Sequence, residues 1–317
     1  MKIIQHNESL KNTIITVGTF DGVHRGHQAI ITQLLTKAKQ LNLNDLIITF
    51  SLHPRLIVQP DYDLKLLTTK DEKILLLQKF KINHLYFLPF DQNMANWDAE
   101  TFVRKILIEK FGLKHLIVGF DHRFGKNRQA GYNELKQLGE KYGFTVEKVE
   151  PVIYNGQKIS SSRIRKLITD GQIKLANKLL GYNYLAIGKV IKGSGIGRKI
   201  NFPTANILVH KQKLLPKYGV YAVKVQTDNF DGLGVLNYGI RPTISTDPQP
   251  VLEVHILDFN QNIYNHPIKI QFIDRIRDEK KFNSLSELQN QIHHDILTAR
   301  KIFSELNQNI HNSSLPL

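Results

Sequence analysis

The chain has 317 residues, of which 41% are hydrophobic and 22% are charged, and this composition is typical of a globular protein with two domains. It contains no cysteine, which excludes disulfides, thiolate metal ligands and cysteine nucleophiles. The net charge of +15 favours anionic ligands. Because lysine and arginine are spread along the whole chain, we expect small polyanions such as nucleotides as partners, and no nucleic acid.

The N-terminal segment predicts neither export nor a membrane anchor. Residues 1–13, MKIIQHNESLKNT, are too polar for a signal peptide. No apolar run in the sequence approaches the roughly 18 residues that a membrane span needs. We therefore expect a soluble cytoplasmic protein that contacts no membrane.

Strands and helices alternate over the first half of the sequence. Apolar, β-branched runs and three-and-four spacing predict strand 13–17, helix 27–41, strand 46–50, helix 70–80, strand 84–90, helix 98–111 and strand 115–121. This alternation predicts a parallel sheet covered by helices. Ligands of such sheets bind beyond the carboxyl ends of the strands, where unusual polar residues are concentrated at 18–27, 50–55 and 119–125.

The pattern changes after residue 184. Short apolar runs separated by turn residues then predict an antiparallel barrel or sandwich; the runs are 186–191, 219–226, 232–240, 251–259 and 268–276. A final helix is predicted over 284–306 and begins with a capping-box pattern from Ser284 to Glu287. The sequence therefore predicts an α/β protein with two domains, 1–184 and 185–317.

Two histidines, His24 and His27, stand where strand 13–17 passes through a glycine-rich turn into a helix. The backbone N–H groups and the dipole of a helix start favour an anion, so imidazole donors there would form a phosphate cradle. A structural histidine pair and a zinc site are the alternatives, and zinc would need a third ligand nearby. We interpret the neighbouring Asp21 as a turn residue that bonds its own backbone, and a group that orients the loop is the alternative.

The residues around this pair are more specific than the pair itself. GTFDGVHRGH, residues 18–27, resembles the HxGH signature of nucleotidylyltransferases, and it is similar to the adenylyltransferase half of the bifunctional prokaryotic FAD synthetases. Three further stretches resemble segments of that family: FSLHPR at 50–55, VGFDHRFGKNRQAG at 118–131 and ISSSRIR at 159–165. The resemblance implies a Rossmann-like nucleotidylyltransferase domain that converts FMN and ATP to FAD and pyrophosphate.

The resemblance also implies roles for individual residues of this domain. His24 and His27 would be catalytic by stabilising charge on the ATP phosphates, which would be bound by Gly18, Phe20, His24, His27, Ser161, Ser162 and Arg165. Asp121 and Arg123 would contact the flavin or nucleotide. No general base is needed, because the FMN phosphate is largely dianionic at pH 7. A magnesium ion on the ATP phosphates is expected, and the sequence does not identify its ligands.

This domain departs from the family pattern at a few positions. Leu52 replaces a proline, Ser162 replaces a threonine, and Lys158 stands where some members have arginine. Ser162 keeps the hydroxyl, whereas Lys158 keeps the charge without the bidentate fork of arginine. The stretch at 159–165 is also typical of a serine-capped helix start, predicted to continue over 163–180.

A second site is predicted within residues 188–207, GKVIKGSGIGRKINFPTANI. Gly193, Gly195 and Gly197 would let backbone N–H groups approach phosphates. A mobile hairpin turn would have the same composition. FPTAN at its end resembles the PTAN motif of riboflavin kinases, which implies that Thr204 and Asn206 bind magnesium and the ATP phosphates. Asn201 replaces the family's glycine before FPTAN, and asparagine tolerates the left-handed backbone that a glycine would adopt.

The kinase resemblance continues in LEVHILDF at 252–259. By its position there, Glu253 matches the family's catalytic base, which would take the proton of the riboflavin 5′-hydroxyl as it attacks the γ-phosphate. Without the motif, a glutamate on a strand is more typical of a solvent-facing residue.

Motifs for both activities occur in the expected order over nearly the whole chain. The sequence therefore predicts a bifunctional FAD synthetase, whose barrel is a riboflavin kinase domain and whose substrates are riboflavin, FMN and ATP. Two alternatives remain. Only one of the sites is active, or the chain is an RNA-binding or regulatory flavin sensor that uses its positive charge.

Overall fold

The structure is a computed structural model that describes residues 1–59, 61–126, 130–193, 197, 200–240 and 250–313, with side chains omitted at 307 and 309–313. Contacts between residues divide the chain into two compact units, Met1–Ser161 and Ser162–Leu317. None of the helices in the described part is long and apolar enough to cross a bilayer.

The first unit is built on a six-stranded sheet with the strand order β1-β4-β3-β2-β5-β6. All of its strand pairs are parallel. The strands are β1 (Lys2–Ile4), β2 (Thr13–Val17), β3 (Asn44–Phe50), β4 (His84–Leu88), β5 (Leu113–Gly119) and β6 (Thr145–Val149). Every residue of β2 is buried, as expected for a central parallel strand covered on both faces. The predicted parallel sheet is confirmed.

Helices connect the strands of this unit, and a two-stranded hairpin lies near the C-terminal end of the unit. They are α1 (Arg25–Leu41), α2 (Pro54–Val58), α3 (Lys70–Gln78), α4 (Gln92–Ala95), α5 (Ala99–Phe102) and α6 (Tyr132–Tyr142), with β7 (Ile153–Tyr154) and β8 (Gln157–Lys158) as the hairpin. The helix predicted over 98–111 is only partly α-helical, because α5 continues as the π-helix Val103–Lys110. Val103, Leu107 and Phe111 are all buried, so the apolar spacing that predicted a helix still faces the core.

The second unit begins with a helix pair in place of the single helix predicted over 163–180. The two helices are α7 (Ser161–Thr169) and α8 (Ile173–Leu180). Gly171 lies between them with φ of +77°, a left-handed conformation that commonly ends helices. A Cβ at Gly171 would also lie 2.7 Å from Cδ of Arg275. The prediction of one continuous helix was wrong because it overlooked this glycine.

The rest of the second unit is a closed antiparallel barrel with the strand order β10-β13-β12-β11-β14-β9. Its strands are β9 (Leu185–Ile191), β10 (Ala205–Val209), β11 (Gly219–Gln226), β12 (Asp231–Ile240), β13 (Pro250–Ile256) and β14 (Pro267–Arg277). Along β13, Leu252, Val254 and Ile256 are buried, whereas Glu253 and His255 between them are half-buried. This period of two separates an apolar inner face from a polar outer face.

A long terminal helix, α9 (Leu285–Ser313), packs on the barrel through Ala299 and Phe303. The predicted cap is present in a modified form. The Ser284 hydroxyl accepts the N–H of Glu287 at 3.1 Å, and the Glu287 carboxylate accepts the N–H of Asn283 at 3.0 Å. Arg277 of β14 also binds the buried carboxylate of Asp295 in α9, with an Nη2–Oδ2 distance of 2.8 Å.

Candidate active sites

The loop that joins β2 to α1 has strained backbone in its middle. Phe20 and Val23 have φ of +47° and +35°. Residues other than glycine rarely adopt such backbone angles, which cost about 1–3 kcal/mol each. The Phe20 and Val23 side chains are 1% and 0% exposed. Burial of these two side chains therefore offsets the strain and holds the loop, with Gly18 at its start, in one shape.

His24 and His27 are brought together at the start of α1. His24 is the N-cap residue, and its Nδ1 accepts the N–H of His27 at 3.3 Å. The two rings stack with their centroids 3.7 Å apart and an interplanar angle of 15°. The ring of Phe20 lies 5.2 Å from that of His27. Both imidazoles therefore stand at a helix N-terminus, where an anion is favoured.

The charge state of His27 follows from its surroundings. Burial lowers the pKa of His27 well below its ordinary value, and the charges of His24 and Lys73 lower it further. Its Nδ1 is buried and has no hydrogen-bond partner among the described residues. An unpaired buried nitrogen costs free energy, so the free protein keeps a neutral imidazole with one polar atom ready for a ligand.

Asp21 fastens the loop to a distant part of the first unit. Its carboxylate accepts the N–H groups of Leu67 at 3.2 Å and of Thr68 at 2.9 Å. The backbone carbonyl of Asp21 accepts the hydroxyl of Ser161 at 2.8 Å. Asp21 therefore orients the loop through long-range contacts, and it brings Ser161 to the loop that carries the histidines.

Sequence reasoning missed Lys73, which is 8% exposed. Its ammonium donates to the Thr19 carbonyl at 2.6 Å and to the Thr49 hydroxyl at 3.1 Å. Burial lowers the pKa of Lys73 to about 8, and the nearby charge of Asp21 opposes this shift. The signal in the sequence was positional, because Lys73 precedes the buried Leu76 and Leu77 by three and four residues, on the core-facing side of α3.

A cleft lies at the carboxyl ends of β2 and β3. Its lining residues are Thr19, Asp21, Phe50, Ser51, His53, Leu66, Thr68, Lys70 and Lys73. The FSLHPR stretch thus shares the cleft with the histidine loop, at the edge where parallel sheets bind ligands. His53 caps α2 by accepting the N–H of Arg55 at 3.2 Å. Leu52 is 53% exposed.

The residues after β5 form an exposed surface. Asp121 and Arg123 are both exposed, and residues 127–129 of the same stretch lie outside the described residues. Phe120 is 45% exposed, and Nζ of Lys158 lies 4.4 Å from the centroid of its ring. The Lys158 ammonium therefore lies over an aromatic face.

Two of the predicted phosphate-binding residues belong to the second unit. Ser162 and Arg165 lie on α7, where Ser162 is exposed and Arg165 is half-buried. Residues three apart share a helix face, so their side chains project to the same side. Ile164, Leu167 and Ile168 of the same helix are buried, which leaves the face with Ser162 and Arg165 polar.

The glycine-rich stretch of the second unit packs closely against Asn206. A Cβ at Gly193 would overlap the Asn206 carboxamide, so only glycine fits at this approach. Asn206 is 6% exposed. Gly195 lies outside the described residues. Gly193 is thus needed because its backbone lies close to a predicted ligand-binding side chain. A hairpin turn alone would not require glycine for this reason.

Three polar side chains form a row across neighbouring strands of the barrel. In β10 and β13, Asn206 pairs with Glu253, and Glu253 pairs with Asn237 of β12. Paired residues project to the same face with Cβ atoms about 5 Å apart. Thr204 lies two residues before Asn206, and it is half-buried. Sequence reasoning missed Asn237, because only the strand register places it beside Glu253.

Aromatic and histidine contacts brace the FPTAN segment. Nδ1 of His255 donates to the Pro203 carbonyl at 2.8 Å. Phe202 makes edge contacts with the rings of His255 and His293, at centroid distances of 5.6 Å and 4.9 Å. Asn201 has φ of +60°, which confirms that asparagine provides the left-handed backbone at this position.

The chain resembles known proteins over nearly its whole length. The FAD synthetase family model matches residues 6–163, and the riboflavin kinase family model matches residues 180–303. Three relatives are each named bifunctional riboflavin kinase/FMN adenylyltransferase. The protein of Buchnera aphidicola subsp. Acyrthosiphon pisum is 38% identical and covers 96% of this chain and 99% of its own length. The protein of Haemophilus influenzae is 38% identical and covers 94% of this chain and 96% of its own length. The protein of Escherichia coli K12 is 36% identical and covers 96% of this chain and 98% of its own length.

A solved structure shares the fold. The crystal structure described as a macrolide-efflux protein from Streptococcus pneumoniae superposes with a TM-score of 0.83 and 31% sequence identity. The match covers 92% of this chain and 94% of that one. The two family models and this superposition thus span both units.

Proposed function

The chain belongs to the family of bifunctional riboflavin kinases/FMN adenylyltransferases, and from this premise we propose how its residues divide the two reactions. The chain phosphorylates riboflavin to FMN with ATP and then joins FMN to the adenylyl group of a second ATP, giving FAD and pyrophosphate. We assign adenylyl transfer to residues 1–184 and phosphorylation to residues 185–317. The family matches at 6–163 and 180–303 support this assignment.

For adenylyl transfer, the stacked histidine pair is the observation that carries the proposal. A phosphate oxygen of FMN attacks the α-phosphorus of ATP, and the bond from that phosphorus to the pyrophosphate oxygen breaks. His24, His27 and the N–H groups at the start of α1 stabilise the negative charge that builds up. The unpaired Nδ1 of His27 supports a role in holding a phosphate oxygen.

The other residues predicted for adenylyl transfer have the following proposed roles. Gly18, Phe20 and Ser161 bind the ATP phosphates, and the buried Phe20 ring and the Ser161 hydrogen bond support the shape of the loop that presents them. Ser162 and Arg165 add a hydroxyl and a positive charge for the ATP phosphates. Asp121 and Arg123 contact the flavin or nucleotide.

For phosphorylation, the row formed by Asn206, Glu253 and Asn237 supports a catalytic base. The Glu253 carboxylate takes the proton of the riboflavin 5′-hydroxyl as that oxygen bonds to the γ-phosphorus and the bond to ADP breaks. Gly193 and Gly195 hold the ATP phosphates through backbone N–H groups.

A divalent metal fits the residues at this second site. The Thr204 hydroxyl and the Asn206 carboxamide present hard oxygen ligands two residues apart on one side of the chain, and the glycine backbone at 193 closes over Asn206. Among the described residues there is no cluster of three His, Cys, Asp or Glu side chains suited to a metal. We therefore propose that Mg²⁺ is bound by Thr204, Asn206 and ATP together, and that it neutralises phosphate charge.

The remaining predictions concern the surroundings of the protein. Riboflavin, FMN and ATP are its small-molecule partners. Absence of a nucleic-acid partner and a cytoplasmic location stay predictions from the sequence. RNA affinity that falls steeply with salt would support the alternative of a regulatory sensor.

Flavin chromatography tests the proposed function. The purified chain is incubated with ATP and Mg²⁺, starting from riboflavin in one reaction and from FMN in another. We expect FAD from both. FMN without FAD would mean that only the kinase site is active, FAD from FMN alone would mean that only the adenylyltransferase site is active, and no new flavin in either reaction would refute the proposal.

A further inference from the structure

Lys73 connects three elements of the first unit at one point. It lies in α3, and its ammonium donates to the carbonyl of Thr19 in the histidine loop and to the hydroxyl of Thr49 in β3. The Thr49 hydroxyl donates to the same Thr19 carbonyl at 3.1 Å. Thr49 is 0% exposed, so this carbonyl is held by two donors in an enclosed place.

The held carbonyl directly precedes the strained part of the loop. Thr19 is followed by Phe20, with φ of +47°, whose ring lies 5.2 Å from that of His27. On the other side of Phe20, Asp21 is fastened to Thr68, just before α3. The segment that leads into α3 and α3 itself therefore fix the loop on both sides of the residue that packs against His27.

We propose that Lys73 is a positioning residue for adenylyl transfer, which acts through the Thr19 carbonyl to hold the loop that presents His24 and His27. This inference rests on the proposed assignment of adenylyl transfer to residues 1–184. Lys73 itself does not take part in bond making or breaking.

A purely structural role would not favour lysine at this position. The residue lies on the side of α3 that also buries Leu76 and Leu77, where an apolar side chain would avoid the cost of removing an ammonium from water. Burial lowers the pKa of Lys73, which is the sign that this cost is present. A charge kept at a cost to stability indicates a functional role.

The test uses Lys73→Met in the full chain, because methionine keeps the length of the side chain and removes the charge. We expect kcat for FMN adenylylation to fall about 10-fold to 100-fold, since small displacements of catalytic groups have effects of this size. Riboflavin phosphorylation in the same preparation should stay unchanged, and the thermal midpoint should not fall. Lys79→Met removes an exposed lysine at the end of α3 and should leave both activities unchanged.

Two further measurements separate positioning from packing. Thr49→Val removes the second donor to Thr19 and one acceptor of Lys73, but it keeps the Lys73 hydrogen bond to the Thr19 carbonyl. We expect a smaller fall in adenylylation with phosphorylation unchanged. In Lys73→Met, the NMR titration of His27 should move to higher pH, because the Lys73 charge that lowers its pKa is gone while Asp21 and His24 remain. His27→Gln identifies the resonance.

The outcomes are distinct for each claim. The inference would be overturned if Lys73→Met retained adenylylation within about twofold of wild type. It would also be overturned if Lys73→Met lost both activities equally while Thr49→Val kept wild-type adenylylation. If Lys73→Met fails to fold, Thr49→Val decides, and unchanged adenylylation there contradicts the role. Failure of the wild-type chain to form FAD from FMN would instead refute the proposed function.

Discussion

The two candidate sites are constructed in opposite ways. The adenylyl-transfer site gathers its histidines within ten residues of sequence, 18–27, and holds them with strained backbone and buried polar contacts. At the kinase site, strand register joins Asn206, Asn237 and Glu253 from three strands into one row. The first site therefore depends on the support beneath one loop, and the second on correct pairing of the barrel.

This difference decides what each site tolerates. A change beneath the histidine loop acts at a distance, since the loop has few alternative shapes with Phe20 and Val23 buried. A change in the barrel row acts on the side chain itself, because neighbouring strands keep their register. The two activities in one chain make this comparison testable, since each serves as the folding control of the other.

The largest effect is expected at the kinase row. Glu253→Gln keeps the shape of the side chain and removes its ability to accept a proton. Riboflavin phosphorylation should fall about 10²-fold to 10⁴-fold, the usual contribution of a general base, while FAD formation from FMN is unchanged. Flavin chromatography of both reactions measures this, and phosphorylation at the wild-type rate would remove Glu253 from the proposed mechanism.

The histidine loop should show the next largest effect. His27→Gln replaces an imidazole by a neutral amide and should lower FMN adenylylation about 10²-fold to 10³-fold, as for loss of one charge-stabilising donor. Riboflavin phosphorylation by the same variant should be unchanged. If FAD still forms at the wild-type rate, the histidine pair has a structural role.

A smaller effect is expected where the glycine backbone approaches Asn206. In Gly193→Ala the added Cβ overlaps the Asn206 carboxamide, so one of the two must move. Riboflavin phosphorylation should fall about tenfold, in keeping with a displaced ligand-binding group, and adenylylation should be unaffected. Equal loss of both activities would show instead that the substitution unfolds the chain.

The smallest effect concerns stability in acid. Because the pKa of His27 is lowered in the folded chain, the unfolded chain binds more protons below about pH 6.5, and stability falls as pH falls. The loss from this residue is about 1.4 kcal/mol per pH unit below that point. Thermal midpoints at pH 5.5 and 7 should differ more in wild type than in His27→Gln. The buried His115 shifts in the same direction, so only the difference between the two proteins is informative.

The sequence predicted the elements that have a strong period and the residues that lie in compact motifs. The parallel sheet, the antiparallel barrel and the start of α9 follow from hydrophobic spacing and from Ser284, which caps the helix. The helix predicted over 163–180 was wrong, because apolar spacing continued through Gly171 while the backbone turned there. The prediction gave the apolar spacing more weight than Gly171, a residue type that commonly ends helices.

The supporting residues of both sites leave at most a weak positional signal in the sequence, for a physical reason. Lys73 and Asn237 are ordinary polar residues in the sequence, and they gain a role only through tertiary contacts with Thr19 and Glu253. Their partners are more than ten residues away along the chain, beyond the reach of local patterns. The histidines were found because both lie in one short stretch.

The strand order of the two units also determines how each resists aggregation. The barrel is closed, so its strands leave no row of unpaired N–H and C=O groups to which another chain could add a strand. The open sheet of the first unit ends in β1 and β6, which have only three and five residues, and β1 carries the exposed Lys2. Short edges with a charged residue are poor templates for intermolecular pairing, so the barrel disfavours strand addition by closure and the open sheet disfavours it by its short edges.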